Sequence, residues 1–324
     1  MGFRDIFRDE EKAGFALRRL YADHGFRPYK MGRFEEYDYY ARNKDFLVSG
    51  QVITFTDTNG KLMALKPDVT LSIVKSSSGL KEGIDRVSYD ENVYRISDIS
   101  RRFQEIRQAG LECLGQIDIG CIAEVLSLAA ASLRILAERS ILTVSHLGIL
   151  SETVSKLGLG EEDEKKLYKC IAEKNQKGIR ELAGEERGKA VSILTETSGK
   201  ADEVLPVLRS IGCSSTAVEE LERLLRILDQ NGCGDQVEID FSVVNDMAYY
   251  NGIVFRGYIE GIPFGILSGG QYDKLLEKLG KQGKAIGFAV YLDLLEYLPE
   301  ENRKNAGTYG LPYNEAGENG GGFR

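Results

Sequence analysis

The 324-residue chain has no tryptophan, only two histidines (His24 and His146), six prolines and five cysteines. Two histidines far apart in sequence leave little material for a histidine-based metal site or a catalytic triad. The cysteines (Cys113, Cys121, Cys170, Cys213 and Cys233) are odd in number and form no C-x-x-C pair. They read as reduced structural thiols, and neither a zinc site nor a disulfide framework is expected. No metal or organic cofactor is expected either. No apolar run approaches the roughly 20 residues that span a bilayer. The N-terminal MGFRDIFRDEEK is charged where a secretory signal has an apolar core. Ile6 stands where a myristoylation signal has Ser or Thr. A cytoplasmic protein without membrane association is expected. Basic residues are in the minority, 42 Lys and Arg against 50 Asp and Glu, for a net charge of −8. That balance argues against a nucleic-acid partner unless a local basic patch exists.

What remains is the composition of a globular protein, 42% hydrophobic and 28% charged, long enough for a substantial core and more than one domain. A helix is expected from about Asp9 to His24, with Ala13, Ala16, Leu17, Leu20 and Tyr21 on one stripe and Gly25 as a stop. The segment from Arg33 to Tyr40 is dense in aromatics and carboxylates, and reads as a partly buried helix or loop or as a subunit contact. Strands from Gln51 to Thr56 and Lys61 to Leu65 flank Asp57-Thr58-Asn59-Gly60, a strong turn sequence. The chain then enters a helix through Lys66-Pro67-Asp68-Val69-Thr70. Asp68 and Thr70 sit at a strand-to-helix junction, where a carboxylate either caps the helix or faces a ligand.

A strand from Arg86 to Ile96 carries Arg95 near its end, followed by the polar loop Ser97 to Arg102. From Ile106 to Cys113, alternation puts Gln108, Gly110 and Glu112 on one face and Ala109, Leu111 and Cys113 on the other. An amide, a gap and a carboxylate in line read as a pocket floor or as a plain solvent-facing sheet surface. A core-facing helix follows from about Ile122 to Glu138, then a strand from Thr143 to Gly148. Residues 150–232 lack strand alternation and read as an inserted domain of amphipathic helices, with Leu221, Leu224, Leu225 and Leu228 as the clearest stripe. It separates two halves of a sheet domain, residues 1–149 and 233–299. Residues 300–324, Gly-rich from Glu315 onward, are expected to be a disordered tail.

The second half opens with a strand from Val237 to Val243 and then Asn245 to Gly252, whose adjacent Tyr249 and Tyr250 are a candidate pocket feature. A hairpin is expected, with strand Ile253 to Phe255, a tight turn at Glu260-Gly261 and strand Ile262 to Leu267. After Ser268-Gly269-Gly270 comes a helix with Tyr272, Leu275, Leu276 and Leu279, and then Ala285 to Val290 leading into a last helix. Gly269, Gly270 and Gly287 allow backbone to approach a ligand or a neighbouring strand.

YYNGIVF, GGQYDKLLEKLG and AIGFAVYLDLL, in that order, resemble the second half of a class II histidyl-tRNA synthetase core. TFTDTNGKLMALKPDVT resembles the family hairpin that ends in Arg-Pro-Glu-Gly-Thr, with Lys66 and Asp68 replacing its arginine and glutamate. NVYRISDISRRFQEIRQAGLECLG resembles class II motif 2. The resemblance implies an α+β fold, a class II synthetase-like antiparallel sheet flanked by helices, with the helical segment inserted. It also implies site roles. Asp68 would receive an α-amino group, with Thr70 beside it. Arg95 would hold a carboxylate or phosphate, Gln108 and Glu112 would contact the amino acid, and Tyr249 and Tyr250 would line the histidine pocket. A carboxylate facing an imidazole N–H is a charge-assisted contact.

The departures from the family pattern fall on the ATP chemistry. Ser97 stands where motif 2 has glutamate, Asn245 where the family has its catalytic arginine, and Gly32 where motif 1 has proline. The stretch matching motif 3 has no arginine and carries Asp293. Adenylation depends on cationic clamps at the phosphates, so these losses imply that no catalytic residue remains. No tRNA-reading domain is expected after the core, and no tRNA partner. A kept amino-acid pocket with lost ATP chemistry resembles the regulatory subunits of ATP phosphoribosyltransferase. In that family the subunit assembles with a short catalytic subunit in the first step of histidine biosynthesis and mediates inhibition by histidine. The implied partners are that catalytic subunit, a second copy of the chain and histidine as effector. A truncated synthetase that activates histidine, or a paralogue that binds another amino acid, is the alternative.

Overall fold

The computed structural model describes residues 7–47, 52–77, 83–96, 102–213, 216–244 and 249–299. Ser97, Asn245 and the 300–324 tail lie outside the described residues. Helix α1 (Asp9–Asp23) begins with three acidic residues, which suit the positive end of its dipole, and buries Ala13, Ala16, Leu17 and Tyr21. The short strand β1 (Arg27–Pro28) follows, and then β2 (Phe34–Glu36) and helix α2 (Tyr37–Arg42). Strands β3 (Thr54–Thr56) and β4 (Leu62–Leu65) form the expected hairpin and join β2 in a small three-stranded sheet, order β2-β4-β3. Its turn is built as the sequence demands. Asp57 Oδ1 accepts from the Asn59 and Lys61 amides at 2.9 and 2.8 Å, and Gly60 takes φ +81°.

Helix α3 (Thr70–Ser76) leads to the two longest strands, β5 (Ile84–Ile96) and β6 (Phe103–Gly115). Helix α4 (Ile119–Leu136) crosses under the sheet to β7 (Ser140–His146). Then come α5 (Leu147–Ser155), α6 (Glu161–Ala172), α7 (Gln176–Ala183), α8 (Lys189–Glu196), the two-residue β8 (Ser198–Gly199), α9 (Ala201–Ser210) and α10 (Thr216–Gln230). The chain returns to the sheet with β9 (Val237–Asp240), β10 (Ile253–Ile259), β11 (Leu267–Gln271), helix α11 (Asp273–Lys278) and β12 (Lys284–Tyr291). A 3-10 helix, Leu292–Tyr297, replaces the helix expected there.

The main sheet runs β1-β5-β6-β12-β11-β10-β7-β9-β8. It is antiparallel through its middle, but β1 pairs parallel with β5 and β7 parallel with β9, so the sheet is mixed rather than wholly antiparallel. One hairpin also differs from expectation. Strand β11 starts at Leu267, and residues 260–266 form the connection, because Pro263 and Gly265 interrupt pairing while Ile262 and Ile266 turn inward to the core. Ser268, Gly269 and Gly270 therefore lie within the strand rather than after it.

The two sheet faces do different work. On one face Ala109, Leu111, Cys113, Ile286, Phe288 and Val290 meet α1 and α4 in the principal core, which continues without a break into α5–α10. Sandwiched this way, α4 is apolar on nearly every side. Among the described residues it is the one helix long and apolar enough to cross a bilayer, contrary to the expectation of no such run. Its Leu126, Ala129 and Leu133 are fully buried in the protein. On the other face lies a smaller cluster from α3, α11, β5 and the tyrosines Tyr40, Tyr89, Tyr249 and Tyr272. The even-numbered residues of β6 point into it.

Candidate ligand-binding site

Asp68, Thr70, Arg95, Gln108, Glu112, Tyr249 and Tyr250, scattered over 180 positions of sequence, all line one cavity in this second cluster. The sheet supplies the floor through Gln108 and Glu112 of β6, Ser268 of β11, and Gly287, Ala289 and Tyr291 of β12. Register explains their meeting, since Glu112 pairs with Gly287 and Gln108 with Tyr291. The N-terminus of α3 brings Asp68 and Thr70 over this floor, and the residues after β9 bring the tyrosine pair. The cavity is about 40 Å³, room for a few waters, so an amino-acid-sized ligand must displace part of the wall.

Glu112 is the centre. Its carboxylate is 2% exposed; Oε1 accepts from Thr70 Oγ1 at 2.7 Å and Oε2 from the Tyr272 hydroxyl at 2.6 Å. Burial pushes its pKa up to about 8, helped by the negative charge of Asp68, while the two hydroxyl donors pull the other way. Asp68 is also raised, first by burial and against the pull of Arg95. Asp68 bonds the first turn of α3, the capping role expected of it, and it also lines the cavity. Oδ1 accepts from the Leu71 amide at 2.8 Å in the first turn of α3, and Oδ2 stands 3.8 Å from the Arg95 guanidinium. Arg95 is fixed by its Nε, which donates to the Pro67 carbonyl at 2.9 Å. Of the two buried carboxylates, Asp68 faces the guanidinium and Glu112 is held by hydroxyls.

The walls are aromatic. Tyr249 meets Tyr250 edge-on at 4.6 Å and Tyr272 at 5.6 Å between centroids. Burial raises the hydroxyl pKa of Tyr89, Tyr249, Tyr250 and Tyr272, so all four remain neutral at physiological pH. Gly287 is required where it stands, since a Cβ there would lie 1.7 Å from Glu112 Oε2. The space at Gly110 is not the open gap expected from the sequence. It is occupied by the Tyr89 ring, and a Cβ would come within 2.6 Å of its hydroxyl and 2.1 Å of the Phe288 carbonyl.

Sequence reasoning missed Tyr89, Ser268, Tyr272 and Tyr291. Tyr272 was assigned to an apolar helix stripe, yet it precedes α11 and spends its hydroxyl on Glu112. The Ser268 and Tyr291 hydroxyls bond each other at 2.9 Å and form one wall. Lys66, the replacement for the family arginine, is 2% exposed but is not in the cavity lining; it is ion-paired with Glu91. Asp293 is half-buried near Arg95, its Oδ1 without a hydrogen-bond partner among the described residues. Burial first, then Glu296 and Glu10, raise its pKa to about 6.

The family model described as histidyl-tRNA synthetase matches residues 5–295. The ATP phosphoribosyltransferase regulatory subunit of Clostridium kluyveri is 30% identical over 291 residues, covering 86% of this chain and 74% of the relative. That of Caldanaerobacter subterraneus subsp. tengcongensis is 30% identical over 289 residues, with 86% and 75% covered. Among solved structures, an ATP phosphoribosyltransferase regulatory subunit/histidyl-tRNA synthetase from Bacillus halodurans superposes with TM-score 0.80 at 24% identity, over 90% of this chain and 79% of that one. A chain of the ATP phosphoribosyl transferase (HisG:HisZ) complex from Thermotoga maritima gives 0.70 at 20% identity, over 88% and 98%. The two structures establish the class II synthetase-like fold, and with the extent of the sequence matches they show that this chain belongs to the histidyl-tRNA synthetase-like family of ATP phosphoribosyltransferase regulatory subunits.

Proposed function

We propose that this chain is the non-catalytic regulatory subunit of an ATP phosphoribosyltransferase, that it supports a short catalytic subunit in the first step of histidine biosynthesis, and that it binds histidine as inhibitor in the cavity around Glu112. The carrying observation is the convergence of Asp68, Thr70, Arg95, Gln108, Glu112, Tyr249 and Tyr250 on that one cavity. Carboxylates there suit an ammonium and an imidazole N–H, the Arg95 guanidinium suits a carboxylate, and the tyrosine rings suit a planar side chain. The half-buried Asp293, on the stretch that resembles motif 3, is the wrong charge for a triphosphate. Histidine titrated calorimetrically into the full chain, alone and with the catalytic subunit, tests the reading. Saturable binding is expected, weakened about tenfold or more by Glu112→Ala through loss of a charge-assisted contact. Binding untouched by the substitution would mean the floor is elsewhere, and histidine-dependent pyrophosphate exchange would favour a synthetase.

The proposal includes a homodimer. Most of the Phe34 to Tyr40 stretch packs internally. The Tyr40 hydroxyl donates to Glu35 at 2.8 Å and that of Tyr39 to the Leu71 carbonyl at 2.8 Å. Phe34 differs. It and Phe55 are 56% and 38% exposed and meet edge-on at 5.2 Å on one face of the small sheet. Exposed aromatics of that size favour a second copy as cover. Light scattering should show a dimer that Phe34→Asp converts to monomer, and a monomeric wild type would overturn this part.

A further inference from the structure

All five cysteines are free thiols, and two of them meet. Cys113 on β6 and Cys121 in the first turn of α4 both belong to the principal core, with 0% and 4% of their surface exposed. The topology brings them together. Strand β6 ends at Gly115, residues 116–118 connect it to α4, and the helix folds back over the sheet face that carries Cys113. The Cys113 thiol donates a hydrogen bond to the Cys121 sulfur. The Cys121 amide donates to the N-cap, Asp118 Oδ1, at 2.8 Å. This end of α4 reaches the surface, where Asp118 and Gly120 are exposed, so the thiol pair lies close beneath solvent.

A fixed cation stands beside the pair. Arg86 is the cross-strand partner of Cys113 in the β5–β6 ladder. Glu124, almost one turn along α4 from Cys121, holds the Arg86 guanidinium with two bonds of 2.6 and 2.7 Å, and the Phe26 ring lies 5.7 Å from it. The hydrogen bond from Cys113 lowers the pKa of Cys121, and Arg86 acts the same way against burial and the charges of Glu124 and Asp118. Cys113 is shifted upward, first by that same hydrogen bond and then by burial. The positive end of the α4 dipole also favours an anionic sulfur in its first turn. One thiol is thus disposed to give up its proton while its neighbour keeps one, as an attacking and a resolving thiol must.

We propose that Cys121 and Cys113 form a two-electron redox site, in which a small hydroperoxide oxidises Cys121 and Cys113 resolves the product to an intrachain disulfide. In the first step the Cys121 thiolate attacks one peroxide oxygen and the O–O bond breaks. Cys121 becomes a sulfenic acid, and the leaving hydroxide takes up the proton that the thiol released and departs as water. In the second step the Cys113 sulfur attacks the Cys121 sulfur and the S–O bond breaks. The hydroxyl leaves with the Cys113 proton as a second water. Two thiols and one hydrogen peroxide give one disulfide and two waters, the sulfurs losing the two electrons that the peroxide gains. Cys113 directly follows Glu112, so the new bond ties the floor strand of the cavity to α4. The site does not depend on which ligand the Glu112 cavity takes.

The probe is hydrogen peroxide at about 1 mM, added to the fully reduced chain under native conditions, with the remaining thiols alkylated in denaturant and the peptides mapped by mass spectrometry. The expected product has lost two hydrogens, leaves only Cys113 and Cys121 unalkylated and joins their two peptides. The native chain should form this link about tenfold or more faster than the chain unfolded in urea, because the fold supplies the contact and the cation. Cys113→Ser should stop at a Cys121 sulfenic acid that dimedone traps, and Cys121→Ser should leave Cys113 reduced. Circular dichroism melts establish that the variants fold; if they do not, the wild-type map and the comparison of native with unfolded rates decide. Full alkylation of both thiols after peroxide, a link through any other cysteine, a sulfinic acid at Cys121 in place of the link, or equal rates in native and unfolded chain would each overturn the proposal.

Discussion

Glu112→Gln separates the carboxyl charge from its shape. In the folded chain Glu112 titrates at about 8 against an ordinary value of 4.5, chiefly because it is buried. The folded state therefore holds this proton more tightly than the unfolded state. Its stabilising effect is fully present below about pH 4.5 and is lost as pH rises through about 8. At 1.36 kcal/mol per pH unit, that shift corresponds to on the order of 5 kcal/mol as an upper bound. Water entering the cavity and the neighbouring Asp68, which is also raised, reduce the effect to about 2–4 kcal/mol. Glutamine keeps the volume and still bonds Thr70 and Tyr272, whose hydroxyls can each donate or accept. Urea denaturation of both proteins at intervals from pH 5 to 8.5 reads the difference. At pH 5 the two should be close in stability; by pH 8.5 the glutamine variant should be the more stable by those few kcal/mol. Titrating groups remote from the cavity cancel in the difference, while Asp68, whose charge couples to that of Glu112, spreads the transition over a wider pH range. Parallel curves over the whole range would refute the argument, because they would mean that Glu112 is solvated or paired with a cation.

Gly287→Ala should destabilise the fold by roughly 2–4 kcal/mol, since the new Cβ would lie 1.7 Å from Glu112 and 2.5 Å from the Leu111 carbonyl, and backbone must move. The double variant Gly287→Ala with Glu112→Ala should recover part of that loss in thermal melts, the carbonyl contact accounting for the remainder. Lys66→Met should cost about 3 kcal/mol in urea denaturation by stranding Glu91. Because Lys66 is outside the cavity lining, the same variant should leave histidine affinity within about twofold of wild type.

The floor of the site was legible because strand alternation is rigid. Once Ile106 to Cys113 is extended, Gln108 and Glu112 must share a face, and the face opposite, with Ala109, Leu111 and Cys113, must be the core. The Asp57 to Gly60 turn was legible for a similar reason, its residues fixing their own backbone. Tyr272 was not, because a tyrosine at helical spacing with three leucines is apolar by pattern, and only the register of β12 against β6 brings Glu112 beneath its hydroxyl. Tyr89 escaped notice likewise: its ring crosses from β5 into the space left by Gly110, a contact between neighbouring strands that no local pattern announces. The late start of β11 was hidden by Ile262 and Ile266, which look like strand residues but are buried from an irregular connection.

Charge decides what the site accepts. The cavity is lined by two acids, Asp68 and Glu112, and one guanidinium, that of Arg95, and burial is the largest cause raising the pKa of both acids, as it is for Asp293 outside the lining. A pocket with more carboxyls than cations has two ways to settle. It can keep protons, as the raised pKa of each acid implies, or take up a ligand that brings positive charge of its own. An amino acid offers an α-ammonium for the carboxyls and a carboxylate for Arg95, and the imidazole of histidine adds N–H donors. A nucleoside triphosphate offers several negative charges to a site that already holds more carboxyls than cations. On the proposed reading, the side chains that suit a cationic amino acid are poorly matched to ATP, and such a pocket would sense the amino acid without consuming it.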